Sequence, residues 1–244
     1  MKKISKRKIK KVQTTYLYPD PELPAVKEDF RKTFQWRIFK VMAEFIDGYD
    51  FLADLKKTIS IFGSTSLNPD NHYYKEACKL GGILAKNGYT VITGGGPGIM
   101  EAANRGAFEA GKESVGINIQ LPEGQRMNDY VTKPIGFSYF FVRKVMLSFS
   151  SKAYVFFPGG FGTLDEFFEM VTLVQTKKLT KPIPIIAVGK EYWQDLFKWL
   201  KSEIYLKHKM IKKEDLEIFQ LVDSAEEAYN IIKNRKLEKC SKKS

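Results

Sequence analysis

At 244 residues, with 43% hydrophobic and 28% charged residues, the chain has the composition of a globular protein large enough for one sizeable α/β domain. Its net charge of +12 would suit a polyanion binder, but residues 1–12 carry seven Lys/Arg and no acid, residues 233–244 carry six Lys/Arg and one Glu, and 13–232 hold 27 basic and 27 acidic residues. The body is therefore neutral and the basicity belongs to two tails, which read as solvated ends or as weak, salt-sensitive contacts with a polyanion.

In chain order, residues 1–25 read as a basic tail followed by an irregular stretch marked by Pro19, Pro21 and Pro24. Residues 26–57 read as a helical extension, with Phe30, Phe34, Ile38, Met42, Phe45 and Ile46 on one face and a break at Asp47-Gly48. This apolar stripe suits packing against the main domain or a partner subunit. From 58 to 232 strands alternate with helices. Strands are expected at 58–62, 89–93, 114–119, 153–157 and 183–188, and helices at 73–86, 99–110, 138–149, 164–176, 192–204 and 225–233, the last capped by Asp223-Ser224. Val- and Ile-rich strands without polar alternation predict a mostly parallel sheet with helices on both faces: a Rossmann-like three-layer sandwich of the α/β class, carrying an N-terminal helical extension. Residues 233–244 read as a second basic tail. No apolar run approaches the ~20 residues needed to span a bilayer, and no apolar stretch follows the basic N-terminus as a signal peptide requires. Cys78 and Cys240 lack metal spacing, so a cytoplasmic protein without metal or disulfide is expected.

Two glycine-rich loops sit where open parallel sheets bind ligands, between a strand end and the next helix. They are Gly94-Gly95-Gly96-Pro97-Gly98 and Pro158-Gly159-Gly160-Phe161-Gly162-Thr163. Glycine lets a phosphate approach the backbone, and the following helix offers unpaired N–H groups and a positive dipole end. Paired loops predict one phosphate-bearing ligand lying between them. The dinucleotide fingerprint fails, because no glycine occupies its sixth position and Asn118 and Gln120 stand where a ribose-binding acid belongs. Gly106 to Lys112 mimics a P-loop, but Glu113 replaces the required Ser/Thr and the segment precedes a strand instead of following one. No cofactor is expected.

Two charged residues stand near these loops. Thr163-x-x-Glu166 has the spacing of a helix capping box. A carboxylate beside a phosphate cradle gains a further use where the chemistry develops positive charge, as glycoside cleavage does through an oxocarbenium-like ribose. Asp165 is expected to face solvent or serve the helix dipole. Arg143, in Phe140-Phe141-Val142-Arg143-Lys144, reads equally as a snorkelling surface residue and as a bidentate ligand for phosphate or ribose oxygens.

The segments Gly94 to Asn104, Arg143-Lys144 and Pro158 to Glu166 closely resemble the Lonely Guy family of phosphoribohydrolases, long labelled lysine decarboxylases, whose pattern PGGxGTxxE is met at every fixed position. The resemblance covers about residues 58–205. It implies a catalytic pair of Arg143 and Glu166, a phosphate cradle of Gly159, Gly160, Gly162 and Thr163, and a nucleotide lined by Ser64, Gly94, Gly95, Gly96, Gly98 and Glu101. It implies hydrolysis of a nucleoside 5′-monophosphate to free base and ribose 5-phosphate by a homodimer or higher homo-oligomer. Glu101 stands where short plant-type members carry glycine, and about 50 residues precede the first strand. Both features resemble the longer bacterial branch described as AMP nucleosidases, so AMP is favoured over a cytokinin riboside monophosphate. A carrier that binds a nucleotide or molybdenum cofactor without turnover is the alternative. Lysine decarboxylation would need pyridoxal phosphate on a lysine, for which no lysine here has a supporting context.

Overall fold

The computed structural model describes residues 30–120, 127–179 and 183–241; the first basic tail and Pro19, Pro21 and Pro24 lie outside them. The chain divides at residue 40 into two units. In the first, a 3-10 turn (Phe30–Lys32) leads into helix α1 (Phe34–Ala53), which continues into the second. The second unit then runs β1 (Thr58–Phe62), α2 (His72–Lys86), β2 (Thr90–Thr93), α3 (Ile99–Glu109), β3 (Ser114–Ile119), β4 (Lys133–Phe137), α4 (Phe140–Phe149), β5 (Tyr154–Phe156), α5 (Phe161–Gln175), β6 (Ile185–Val188), α6 (Lys190–Trp199), β7 (Phe219–Val222) and α7 (Ala225–Ser241).

The strands pair in parallel throughout, in the order β4-β3-β2-β1-β5-β6-β7. The chain winds outward from β1 to β4, then returns to the other side of β1 and adds β5, β6 and β7. The direction of winding therefore reverses between β1 and β5, the switch point where open α/β sheets leave a crevice at the strands' carboxyl ends. Ile59, Ile61, Val91 and Val155 bury one sheet face against α2, α3 and α7. Ile92, Val115, Ile117, Tyr154, Phe156 and Ile185 bury the other against α4, α5 and α6. This is the expected three-layer α/β sandwich, and strands β1, β3, β5 and β6 are buried along their whole length.

Both strands absent from the sequence reading are sheet edges. β4 contains Pro134 and Gly136, which count against a strand, yet a proline is tolerated where one side of the ladder is unpaired. β7 is four residues long with exposed Gln220 in it.

Helix α1 does not break at Asp47-Gly48. Gly48 is buried, and a Cβ there would lie 2.5 Å from Met146 Sδ, so this glycine admits a neighbouring helix instead of ending its own. Val41, Phe45, Phe51 and Leu52 pack on the core, while Met42 and Ile46 of the expected stripe are exposed. The buried face is thus rotated from the one the sequence suggests. Glu44 accepts hydrogen bonds from the Ser138 (2.8 Å) and Tyr139 (3.1 Å) amides at the start of α4, an anion at a helix N-terminus. Helix α7 runs to Ser241, past the expected end at Lys233, and Ser224 Oγ accepts from the Glu227 amide (3.2 Å) as its cap. Among the described residues no helix is long and apolar enough to cross a membrane, and no group of three His, Cys, Asp or Glu could hold a metal.

Helices α2 and α3 meet backbone to backbone. A Cβ on Gly106 would lie 1.9 Å from the Cys78 carbonyl oxygen, an overlap that a backbone atom cannot relieve cheaply. Gly106→Ala is expected to cost about 3 kcal/mol or more and to lower the melting temperature by roughly 6–12 °C, followed by circular dichroism. Gly82→Ala, whose nearest neighbour would be at 3.4 Å, serves as the control and should shift the midpoint by no more than about 3 °C.

Candidate active site

Beyond β1 the chain passes through Gly63-Ser64, and the backbone of Ser64 ties three loops together. Its amide donates to the Pro158 carbonyl after β5 (2.9 Å), and its carbonyl accepts from the Ile99 amide at the start of α3 (2.9 Å). Gly98 has a φ of +71°, and a Cβ there would lie 2.2 Å from the Ser64 carbonyl oxygen, so glycine is required on two counts. The loops following β1, β2 and β5 thereby converge on the switch point.

The Gly94–Gly98 loop rests on a buried polar network. Thr93 Oγ1 accepts from the Gly95 amide (2.9 Å) and donates to Asn104 Oδ1 (2.6 Å). Asn104 Nδ2 donates to Ser114 Oγ (2.7 Å) and to the Val115 carbonyl (3.2 Å). Asn128 completes the brace: its Nδ2 donates to the Gly96 carbonyl (2.9 Å) and to Asn104 Oδ1 (3.0 Å), and its amide to the Gly95 carbonyl (2.8 Å). Satisfied buried networks of this kind hold a single geometry. Asn128 lies in an irregular stretch between β3 and β4, where the sequence offers no periodicity to flag it.

Gly94 makes room for a cation. A Cβ on it would lie 2.3 Å from Nη2 of Arg143. Arg143 projects from α4, is 8% exposed, and donates from Nε to the Ile117 carbonyl at the end of β3 (2.9 Å). The snorkelling alternative is thus excluded: this guanidinium lies over the loop after β2, inside the domain. Burial lowers its pKa and the Glu166 carboxylate opposes that; the group stays charged, because guanidinium titrates so far above neutrality.

Helix α5 begins at Phe161, with Gly160 as its N-cap and no side-chain cap. This is three residues earlier than expected, and it places Thr163 inside the first turn and Glu166 in the second. The capping box suggested by the spacing does not form. Thr163 is buried, and its Oγ1 stands where a Cβ on Gly159 would be, 2.2 Å away. The Leu164 amide donates to the Gly160 carbonyl (3.1 Å), whereas the amides of Gly160, Phe161, Gly162 and Thr163 have no acceptor among the described residues. No atom lies within 4 Å of a Cβ built on Gly160 or Gly162. The result is an uncapped, sterically open helix N-terminus carrying unpaired donors at the switch point, the general form of an anion site.

Released from capping, the partly buried Glu166 carboxyl makes no hydrogen bond among the described residues. Burial pushes its pKa up to about 7; Arg143 pulls it down, and Asp165 and Glu169 push it further up. At the rim, Lys144 Nζ pairs with Asp165 (2.8 Å) and approaches Glu169 (3.7 Å). Asp165 is exposed and ion-paired with Lys144. With its ammonium held in this way, Lys144 does not fit a Schiff-base role for pyridoxal phosphate.

The structure therefore gathers Ser64, Gly94, Gly98, Arg143, Gly159, Gly160, Gly162, Thr163 and Glu166 at the carboxyl edge of the sheet. Gly95 and Gly96 lie buried beneath, bound to the polar network. Glu101 lies in the first turn of α3, just past Gly98, and its Oε1 accepts from the Tyr74 hydroxyl of α2 (2.9 Å); α2 and α3 pack on the opposite sheet face from α4 and α5.

The family model described as "possible lysine decarboxylase" matches residues 100–232. A probable cytokinin riboside 5′-monophosphate phosphoribohydrolase of rice (Oryza sativa subsp. japonica) is 25% identical over 154 residues, 61% of each chain. An Arabidopsis thaliana cytokinin riboside 5′-monophosphate phosphoribohydrolase is 25% identical over 153 residues, 61% of this chain and 70% of its own. An uncharacterised protein of Archaeoglobus fulgidus is 30% identical over 128 residues, 51% of this chain and 81% of its own. Among solved structures, a molybdenum cofactor binding protein from Rippkaea orientalis aligns with a TM-score of 0.57 at 23% identity, over 73% of this chain and 96% of that one. A structural-genomics target aligns at 0.57 and 25%, over 73% and 99%.

A carboxyl whose folded-state pKa stands near 7 against an ordinary 4.5 binds protons more tightly in the native state between those values. Native stability therefore falls as pH rises through that window, and the cost is complete above about 7. Glu166→Gln removes it. Denaturant unfolding should show the variant more stable than the wild type by about 1–3 kcal/mol at pH 8 and nearly equal at pH 4.5. Equal effects at both pH values would contradict the desolvation of this carboxyl.

Proposed function

Since this chain belongs to the Lonely Guy family, whose family model carries the label of possible lysine decarboxylase, we propose that it hydrolyses the N-glycosidic bond of a nucleoside 5′-monophosphate, with AMP the favoured substrate, to free base and ribose 5-phosphate. The observation that carries this reading is a desolvated carboxyl, free of capping duty, beside a buried guanidinium and an open helix N-terminus. The 5′-phosphate is received by the unpaired amides of Gly160 to Thr163, assisted by the helix dipole. Arg143, held by Ile117 through Nε, turns its remaining donors to phosphate or ribose oxygens. Glu166 faces the anomeric carbon. As the C1′–N bond breaks, its electron pair leaves with the base, which takes up a proton. The positive charge left on the ribose is stabilised by the Glu166 carboxylate, which also draws a proton from the water that bonds to C1′. A pKa near 7 suits a group that must both carry charge and exchange protons at neutrality.

Phe140, Phe141 and Phe149 of α4 and Phe161 and Phe168 of α5 are exposed. Five exposed aromatic side chains on two neighbouring helices favour a homodimer as the working form. The basic tails, set apart from this site in the sequence, are assigned no role in turnover.

Purified protein incubated with AMP, GMP, CMP, UMP and N6-isopentenyl-AMP is expected to release base and ribose 5-phosphate, fastest from AMP. Glu166→Gln should lower turnover by ~10² or more while retaining AMP affinity within a few-fold. AMP binding without release of base over hours would instead make the protein a carrier. Because the ionised carboxylate is the reactive form, kcat/KM should rise with pH and level off above a midpoint near 7, and a rate independent of pH between 5.5 and 8 would remove Glu166 from the chemistry.

A further inference from the structure

We infer that Tyr192 is a positioning residue for the phosphate cradle, acting through the peptide between Gly159 and Gly160; the inference rests on the nucleotide-binding reading above. Tyr192 lies in the first turn of α6, the helix that follows β6, and β6 neighbours β5 on the side away from β1. Gly189 begins that helix at a φ of +103°; its amide donates to the Val222 carbonyl (2.8 Å) and its carbonyl accepts from the Tyr192 and Trp193 amides (both 3.1 Å). A Cβ on Gly189 would lie 2.6 Å from the Tyr73 ring, so the start of α6 is closely packed. From this rigid turn the Tyr192 hydroxyl reaches sideways and donates to the Gly159 carbonyl (2.5 Å).

The consequence follows from peptide planarity. In a trans peptide the C=O of one residue and the N–H of the next point in opposite directions. With the Gly159 carbonyl held toward α6, the Gly160 N–H is aimed the other way, toward β1 and the crevice between β1 and β5. The preceding carbonyl, of Pro158, is held from the β1 side by the Ser64 amide. Two consecutive carbonyls are thus gripped from opposite flanks. A diglycine segment otherwise has wide rotational freedom, and an unoriented Gly160 N–H would have to be ordered by each ligand at an entropic cost. Tyr192 removes that cost beforehand and touches neither the sugar nor the base in this arrangement. Its effect belongs to phosphate binding and not to bond cleavage.

The test is Tyr192→Phe, which keeps the ring and loses one hydroxyl, measured beside the wild type by calorimetric binding of ribose 5-phosphate, by AMP turnover and by thermal unfolding. A hydrogen bond of this class is worth about 0.5–1.5 kcal/mol, so the Kd for ribose 5-phosphate and the KM for AMP should both rise about 2- to 12-fold. The kcat should stay within about 2-fold, and affinity for adenine, which lacks the phosphate, should not move. An unchanged Kd for ribose 5-phosphate overturns the inference, as does a fall in kcat at constant KM or a lowered melting temperature with unchanged affinity. A wild type that binds ribose 5-phosphate and loses affinity in Tyr192→Phe, yet releases no base from any monophosphate, supports the positioning role and overturns the hydrolase reading. A wild type that binds no ribose 5-phosphate overturns both.

Discussion

Two hydrogen bonds from the backbone of Ser64, one to Pro158 and one from Ile99, hold the candidate site together. Each spans the switch point or its border, and each joins segments far apart in sequence. Neither involves a side chain, so the sheet topology must bring the loops close before the bonds can form. The order β4-β3-β2-β1-β5-β6-β7 does this by setting the end of β1 between the ends of β2 and β5. Once the loops meet, glycine is demanded at Gly98 by the Ser64 carbonyl, and at Gly94 its absent side chain leaves room for the Arg143 guanidinium. The glycine-rich character of these segments is a consequence of that crowding as much as of any ligand.

The electrostatics follow from the same packing. Arg143 and Glu166 come from neighbouring helices, α4 and α5, on one face of the sheet. Burial acts on both in the direction that disfavours charge, and each partly offsets the penalty on the other. Lys144, one residue from Arg143, is spent on Asp165 and Glu169 at the rim. These rim charges still act on Glu166, Asp165 and Glu169 raising its pKa and Lys144 lowering it, but less than burial and Arg143 do. A carboxyl near half ionisation at neutrality and a cation that cannot be discharged form a polarised pair, suited to a substrate that is anionic at one end and develops positive charge at its centre.

Much of this was legible in the sequence, and the failures have local causes. The buried strands were readable because uninterrupted Val and Ile runs need cover on both faces. Edge strands β4 and β7 were not, since an edge tolerates Pro134 and Gln220 that a central strand would reject. Asp47-Gly48 suggests a helix break because spacing cannot report that Met146 occupies the volume of the missing Gly48 side chain. The two loops and Glu166 were legible as motifs, but Thr163-x-x-Glu166 suggested a cap that the earlier start of α5 prevents. The role of Arg143 is set by Ile117 and Gly94, which lie around it only in the fold. Asn128 and Tyr192 carried no signal at all, because each acts on a loop distant in sequence through a single hydrogen-bonding group.

The central claim is spatial: a phosphate on the amides opening α5 and an anomeric carbon facing Glu166. The most direct measurement is a crystal structure of Glu166→Gln with AMP bound. The phosphate should accept hydrogen bonds from the amides of Gly160 to Thr163 at about 2.7–3.2 Å, with the position-166 carboxamide adjacent to C1′ and the Arg143 guanidinium on phosphate or ribose oxygens. A phosphate seated away from these amides, or a C1′ remote from position 166, would contradict it.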